Sequence, residues 1–179
     1  SDALYVNAAA ELKLLADHRQ LNGYLGALRQ NSVVYLHTVQ SSGAIAIRAE
    51  AGQRVYAHST AMGKALIAEM SSSEAIAVLG PAPYPASTAK TITEAVELER
   101  ELDLTRKRGY SISDEENEQG VVSIGAVIRN SQAVVVAAIS VAFLTTQHNK
   151  KEWSAIAQLL VNAAAKCSSA LGYSPNRSE

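Results

Sequence analysis

The chain has 179 residues, 47% of them hydrophobic and 18% charged. That is the composition of one folded domain of ordinary size, not of a disordered segment. Its 16 basic and 17 acidic residues leave a net charge of −1, too balanced to gather nucleic acid by long-range attraction. A single cysteine, Cys167, rules out an internal disulfide framework. No apolar run reaches the roughly 18 to 20 residues that span a bilayer. The opening Ser1-Asp2-Ala3-Leu4 lacks the basic-then-apolar layout of a secretion signal.

In chain order, Leu4, Ala8, Leu12 and Leu15 recur at helical spacing and predict an amphipathic helix over 2–19, broken at Asn22-Gly23. Val33 to Val39 reads as a strand apolar on both faces. Ser41-Ser42-Gly43 is a turn signal, Ala44 to Arg48 a second strand, and Ala51-Gly52 its end. Ser59-Thr60 caps a helix over 61–70 with Ala61, Ala65 and Leu66 inward. Ser71 and Glu74 form a capping box for a short helix to Leu79, followed by a proline-rich loop from Gly80 to Pro85.

Thr91 and Glu94 offer a further capping box. The helix behind it is expected to bury Ala95, Leu98 and Leu102 and to end in Arg106-Lys107-Arg108 and Gly109. Val121 to Ile128 and Ala133 to Phe143 read as an antiparallel hairpin turning through Arg129 to Gln132. The last helix starts near Asn149, with Glu152 completing a capping box. Its apolar stripe runs from Trp153 through Ile156, Ala157, Leu160, Ala164 and Cys167 to Leu171. The sum is an α+β fold, a mostly antiparallel sheet with helices packed on it, in which the first and last helices meet.

Three places carry chemistry. On the hairpin, period-two alternation puts Ser123, Gly125, Ser140 and Ala142 on one face, with Ser123 expected opposite Ser140. Two hydroxyls among small apolar residues are either the polar points of a small-ligand pocket or a pair that satisfies itself. The start of the 61–70 helix offers free amides to an anion, although it lacks the glycine pattern of a phosphate-binding loop. There His58 reads as packed or capping, and Lys64 as solvated. Asp114, Glu115, Glu116 and Glu118 are better read as acids around one capped turn, with Ser113 and Glu116 as its box, than as a metal site. No catalytic set is present, and Cys167 lies on an apolar stripe as a buried, inert thiol.

Several of these segments together resemble the effector-binding domain of the IclR family of bacterial transcription regulators. The resemblance lies in Ala51-Gly52 followed by His58-Ser59-Thr60-Ala61-Met62-Gly63-Lys64-Ala65, and in the Leu98/Leu102 helix running into Arg108-Gly109-Tyr110. It continues in Gly109, Ser113, Glu116, Ser123-Ile124-Gly125 and Asn130, with Ala137-Ala138-Ile139-Ser140 after them. It spans nearly the whole chain. It implies a GAF-like domain, residues 1–179, that is not an enzyme and takes no cofactor or metal. It also implies a small-molecule effector, often a carboxylate, held by the backbone of Ala61 and Met62 and by Ser113, Ser123 and Ser140. Ile47 and Val121 are the expected apolar lining.

The resemblance further implies operator DNA bound through an N-terminal winged helix-turn-helix outside this chain, homodimers or homotetramers, and a cytoplasmic setting. It favours the pocket reading of the two serines. Ser113 stands where an aspartate is common in the family, Ala142 where a second serine is frequent, and Arg129 where an aromatic residue or histidine is usual. Two other readings use the same residues. One is a small hydrolase with Ser59 or Ser123 as nucleophile and His58 as base, for which no third group orients the base. The other is an oligomerisation module with no ligand.

Overall fold

The structure is a computed structural model that describes residues 2–40, 47 and 49–175. Helix α1 (Asp2–Arg19) leads into strands β1 (Asn22–Arg29) and β2 (Ser32–Gln40). The short β3 (Arg54–Val55), α2 (Ala61–Ala68), α3 (Ser72–Leu79) and α4 (Ala95–Arg108) follow. Strands β4 (Ser111–Asp114), β5 (Val121–Arg129) and β6 (Val135–Leu144), then α5 (Lys150–Ala170), complete the order. The strands form one antiparallel sheet in the order β3-β2-β1-β6-β5-β4. The expected strand Ala44 to Arg48 and the turn before it lie outside the described residues, apart from Ile47.

Side-chain alternation splits the sheet between two cores. Val122, Ile124, Ala126 and Ile128 of β5, with Ala137, Ile139, Val141 and Phe143 of β6, face α1 and α5. Leu4, Ala8, Leu12 and Leu15 of α1 pack there against Ile156, Ala157, Leu160, Ala164 and Cys167 of α5, as the two stripes predict. The opposite face carries Tyr24, Ala138 and Ala142, covered by Met62, Ala65 and Leu66 of α2 and by Leu98 and Leu102 of α4. The fold is therefore the expected α+β, GAF-like arrangement, with helices on both sides of an antiparallel sheet.

Local chemistry explains most element ends. Ser71–Glu74 and Asn149–Glu152 are capping boxes, and Gly109 ends α4 in the left-handed region at φ 84°. The box expected at Thr91 and Glu94 is absent: Glu94 caps α4 without a side-chain bond. The Thr91 hydroxyl instead accepts from the amides of Ser87 and Thr88 and donates to the Glu116 carbonyl at 2.6 Å. Ala95 is correspondingly exposed.

Candidate functional site

The second core does not close completely over the sheet. A cavity of about 60 Å³ lies between the first turn of α2 and the strands below it. Ala61, Met62, Ser113, Ser123, Ser140, Ile47 and Val121 all line it, whereas His58, Ser59 and Lys64 do not. Exposed Asn117 and Glu118 stand on its solvent side. The cavity is narrow, with room for roughly four to six water-sized groups. A wider, open groove of about 590 Å³ runs past Tyr56, His58 and Pro85, but it contains none of the three serines.

Glycine sets how closely α2 approaches. A Cβ on Gly125 would lie 2.6 Å from the Ala61 carbonyl oxygen, and one on Gly63 would lie 2.4 Å from Ala57 Cα. The helix start is pinned by β4. The Ser111 hydroxyl donates to the Ala61 carbonyl at 2.5 Å, and the Ser113 hydroxyl to the Ser59 carbonyl at 2.6 Å. Thr60 caps the helix by accepting from the Gly63 amide at 3.0 Å, while the Lys64 amide donates to the Thr60 carbonyl at 2.9 Å. This leaves the amides of Ala61 and Met62, two residues that line the cavity, without a partner among the described residues. They are two of the donors that every helix start leaves over.

The hydroxyls differ in what they have left to offer. Ser113 has spent its proton on Ser59, so toward the cavity it can only accept. Ser123 and Ser140 make no side-chain hydrogen bond among the described residues, and Ser140 is buried. Their register differs from expectation: Ser123 pairs with Ala142, and Ser140 with Gly125. The turn is the cause. It is wider than two residues and carries a bulge at Ile128/Arg129, with Ala133 in the left-handed region at φ 62° and the Asn130 side chain bonded to the amides of Gln132 and Val134. The shift is two residues, so both serines keep their face but stand diagonally and do not satisfy each other.

Two side chains behave otherwise than expected. Lys64 is fully buried rather than solvated: its ammonium donates to Glu116 at 2.7 Å and to the Ile112 carbonyl, with Glu101 at 3.6 Å. Glu116 is buried too. Its second oxygen accepts from the Asp114 amide at 2.9 Å, so the expected Ser113–Glu116 box does not form. Burial raises the Glu116 carboxyl above its usual pKa while the Lys64 charge and bond pull it down. This cluster fastens α2 to β4 and α4 behind the cavity. Glu115 is paired with Lys90 at 3.0 Å.

His58 is packed, as expected. Its ring lies near Tyr56 and Tyr84, and Nε2 donates to the Pro85 carbonyl at 2.8 Å. Burial holds its pKa below the ordinary value, with the Lys64 charge acting the same way and the Pro85 bond against it. Ser59 Oγ donates to Asn117 at 3.2 Å and not to His58, so the nucleophile–base pair of the hydrolase reading is not formed. Cys167 is buried, its thiol pushed up to about 11 by burial.

Sequence reasoning missed the aromatic floor of the cavity. Tyr24 of β1 and Tyr35 of β2 line it and stack at 5.0 Å. Tyr24 pairs across the strands with Ser140. Its one available signal was period-two alternation through Tyr24, Gly26 and Leu28, which Asn22-Gly23, a turn signal, obscured.

An α+β sheet carrying a cavity with convergent polar groups has the build of a small-ligand site. The sequence pattern described as "Bacterial transcriptional regulator IclR C-terminal" matches residues 3–169, and the chain belongs to this family, whose members are transcription regulators and not enzymes. The HTH-type transcriptional regulator KdgR of Escherichia coli (strain K12) is 33% identical over 150 residues, 84% of this chain and 57% of that protein. The chain thus spans little more than half of that relative's length. The crystal structure of the C-terminal domain of E. coli KdgR superposes with a TM-score of 0.84 at 31% identity, covering 96% of this chain and 99% of that one. The inducer-binding domain of a PobR double mutant from Acinetobacter, in complex with 3-hydroxybenzoic acid, gives 0.80 at 25% identity over 90% of this chain and 95% of that one.

Proposed function

We propose that the cavity senses a small carboxylate and that the chain is the effector-binding part of a DNA-binding transcription regulator. The observation that carries this is that the amides of Ala61 and Met62 and the hydroxyls of Ser123 and Ser140 have no partner among the described residues, and that all four residues line one cavity. Two amides at a helix start match two carboxylate oxygens and carry the positive end of the helix dipole. Ser123 and Ser140 fix the other end of the ligand, Ser113 accepts at the rim, and Ile47 and Val121 supply apolar wall. The 3-hydroxybenzoic acid held by the PobR inducer-binding domain supports a carboxylate in this fold.

In the longer protein an N-terminal winged helix-turn-helix contacts operator DNA, and this near-neutral chain does not. Homodimers or homotetramers form in the cytoplasm. No helix among the described residues is long and apolar enough to cross a membrane. The effector acts by binding two subunit arrangements with different affinity, which shifts their populations.

Thermal melts of the chain against a panel of small organic acids and their amides test the reading. Binding to the folded state stabilises by about 2.7 kcal/mol at a hundredfold excess over Kd. Saturable shifts with acids and none with amides are expected. Equal shifts with both, or none with any acid, would contradict it.

A further inference from the structure

The cavity and the open groove beside it share part of their lining. Gln53, Val55 and Asn117 border both the space of about 60 Å³ under α2 and the groove of about 590 Å³ that runs past Tyr56, His58 and Pro85. Ser140, which lines the cavity, is 2% exposed, so a molecule reaches it only past a side chain that moves. The sheet below is backed by the first core, and the Ser111 and Ser113 hydroxyls hold the start of α2 to β4.

Asn117 is the part of the shared border that is least tied down. Val55 pairs with Val33 in the sheet. The Gln53 amide donates to the Glu50 carbonyl at 3.1 Å, its carbonyl accepts from the Tyr35 amide at 3.0 Å, and its side chain accepts from the Glu50 amide at 3.1 Å. The backbone leading to Asn117 is equally firm, because the Thr88 and Thr91 hydroxyls donate to the carbonyls of Glu115 and Glu116, each at 2.6 Å. The Asn117 side chain is exposed and makes one hydrogen bond among the described residues, accepting from the Ser59 hydroxyl at 3.2 Å. Exposed side chains change rotamer within nanoseconds, and one neutral hydrogen bond favours the bonded rotamer by only about two- to tenfold.

We propose that the groove is the entry path to the cavity and that Asn117 is its gate. Rotation of the Asn117 side chain away from Ser59 opens the path while the pinned backbone stays in place. Ser59, which lines neither space, is the latch. The inference rests on the reading that the cavity takes a ligand, and not on which ligand it takes.

The test measures entry with no effector present. Ser140→Cys places a thiol at a residue that lines the cavity, and the probe is methyl methanethiosulfonate, a small uncharged thiol reagent, with labelling followed by mass spectrometry. Cys167, buried in the first core, reports any general loosening. Adding Asn117→Ala is expected to raise the labelling rate at least about fivefold, and adding Ser59→Ala at least about twofold, with labelling of Cys167 unchanged. Glu118 lines the cavity but not the groove, so adding Glu118→Ala is expected to leave the rate within about twofold. If Ser140→Cys does not fold, Ser123→Cys carries the same series.

A rate that Asn117→Ala leaves unchanged, or that Glu118→Ala raises as much, would show that entry does not pass Asn117 and would overturn the gate. A parallel rise at Cys167 would overturn it too, because the fold and not the path would have opened. The gate can fail in this way while acids still bind the chain, and a failure of acids to bind would count against the carboxylate reading alone.

Discussion

Lys64 shows how a single side chain organises the site without entering it. Its ammonium has no exposure and answers to the Glu116 carboxylate, the Ile112 carbonyl and, at longer range, Glu101. Removing one partner leaves the other charge buried alone. Lys64→Met is therefore expected to cost about 3–5 kcal/mol in urea unfolding, and adding Glu116→Leu to recover part of the loss; a loss below 1 kcal/mol would show that the pair is solvated. Ser140→Ala removes a hydroxyl that bonds to no other group among the described residues, so its effect should fall on the ligand alone. About 1 kcal/mol, roughly fivefold in Kd, is expected at unchanged stability.

His58 gives a pH dependence. Its folded pKa is depressed, so the stability it contributes is present above the unfolded value of about 6.5 and is lost as pH falls toward the folded one. The wild type should lose more melting temperature between pH 8 and pH 5.5 than His58→Gln does. Equal losses would show that the imidazole is not held neutral.

At the scale of elements, the helices were the most legible parts of the sequence. The α1 and α5 stripes and the Ser71 and Asn149 boxes follow from local spacing, and local spacing is what fixes them. The sheet was less legible because its decisions are made across the chain. Strand β1 was hidden by Gly23 and Gly26, yet those glycines are what a strand between two helices requires. A Cβ on Gly23 would stand 3.2 Å from the Leu12 side chain, and one on Gly26 would stand 2.8 Å from the Val34 carbonyl and 3.0 Å from Met62. The hairpin register moved by two because a bulge at Ile128/Arg129 and a side-chain-bonded turn shift the pairing that a turn centred near Asn130-Ser131 would give. The faces survived because the shift was even. Gly125 tests the seating of α2: Gly125→Ala must push the Ala61 carbonyl aside. A cost of about 1–3 kcal/mol and loss of acid binding are expected by chemical denaturation and calorimetry. A stable variant that binds as before would show that α2 moves freely.

For the whole molecule, the sandwich divides labour between its two faces. The side holding α1 and α5 is a packed apolar core, whereas the side holding α2 and α4 is tied by polar contacts and leaves a cavity. The residues around that cavity come from all six strands, the start of α2 and the loops beside them, which is why spacing identified Ser123 and Ser140 as a pair but could not find Tyr24. Buried Lys64 escaped for a similar reason, since both of its acidic partners lie at least 37 positions away in the chain.

The central claim, that a carboxylate sits on the first amides of α2, is tested most directly by Ala61→Pro. Proline is tolerated at the first helical position, and Thr60 already has the extended backbone, φ −104° and ψ 149°, that a following proline demands. The substitution deletes one of the two free donors and places a ring carbon where its hydrogen stood. The melting temperature without ligand should hold within a few degrees while stabilisation by every active acid disappears. A folded Ala61→Pro chain that acids stabilise as well as they do the wild type would contradict the account.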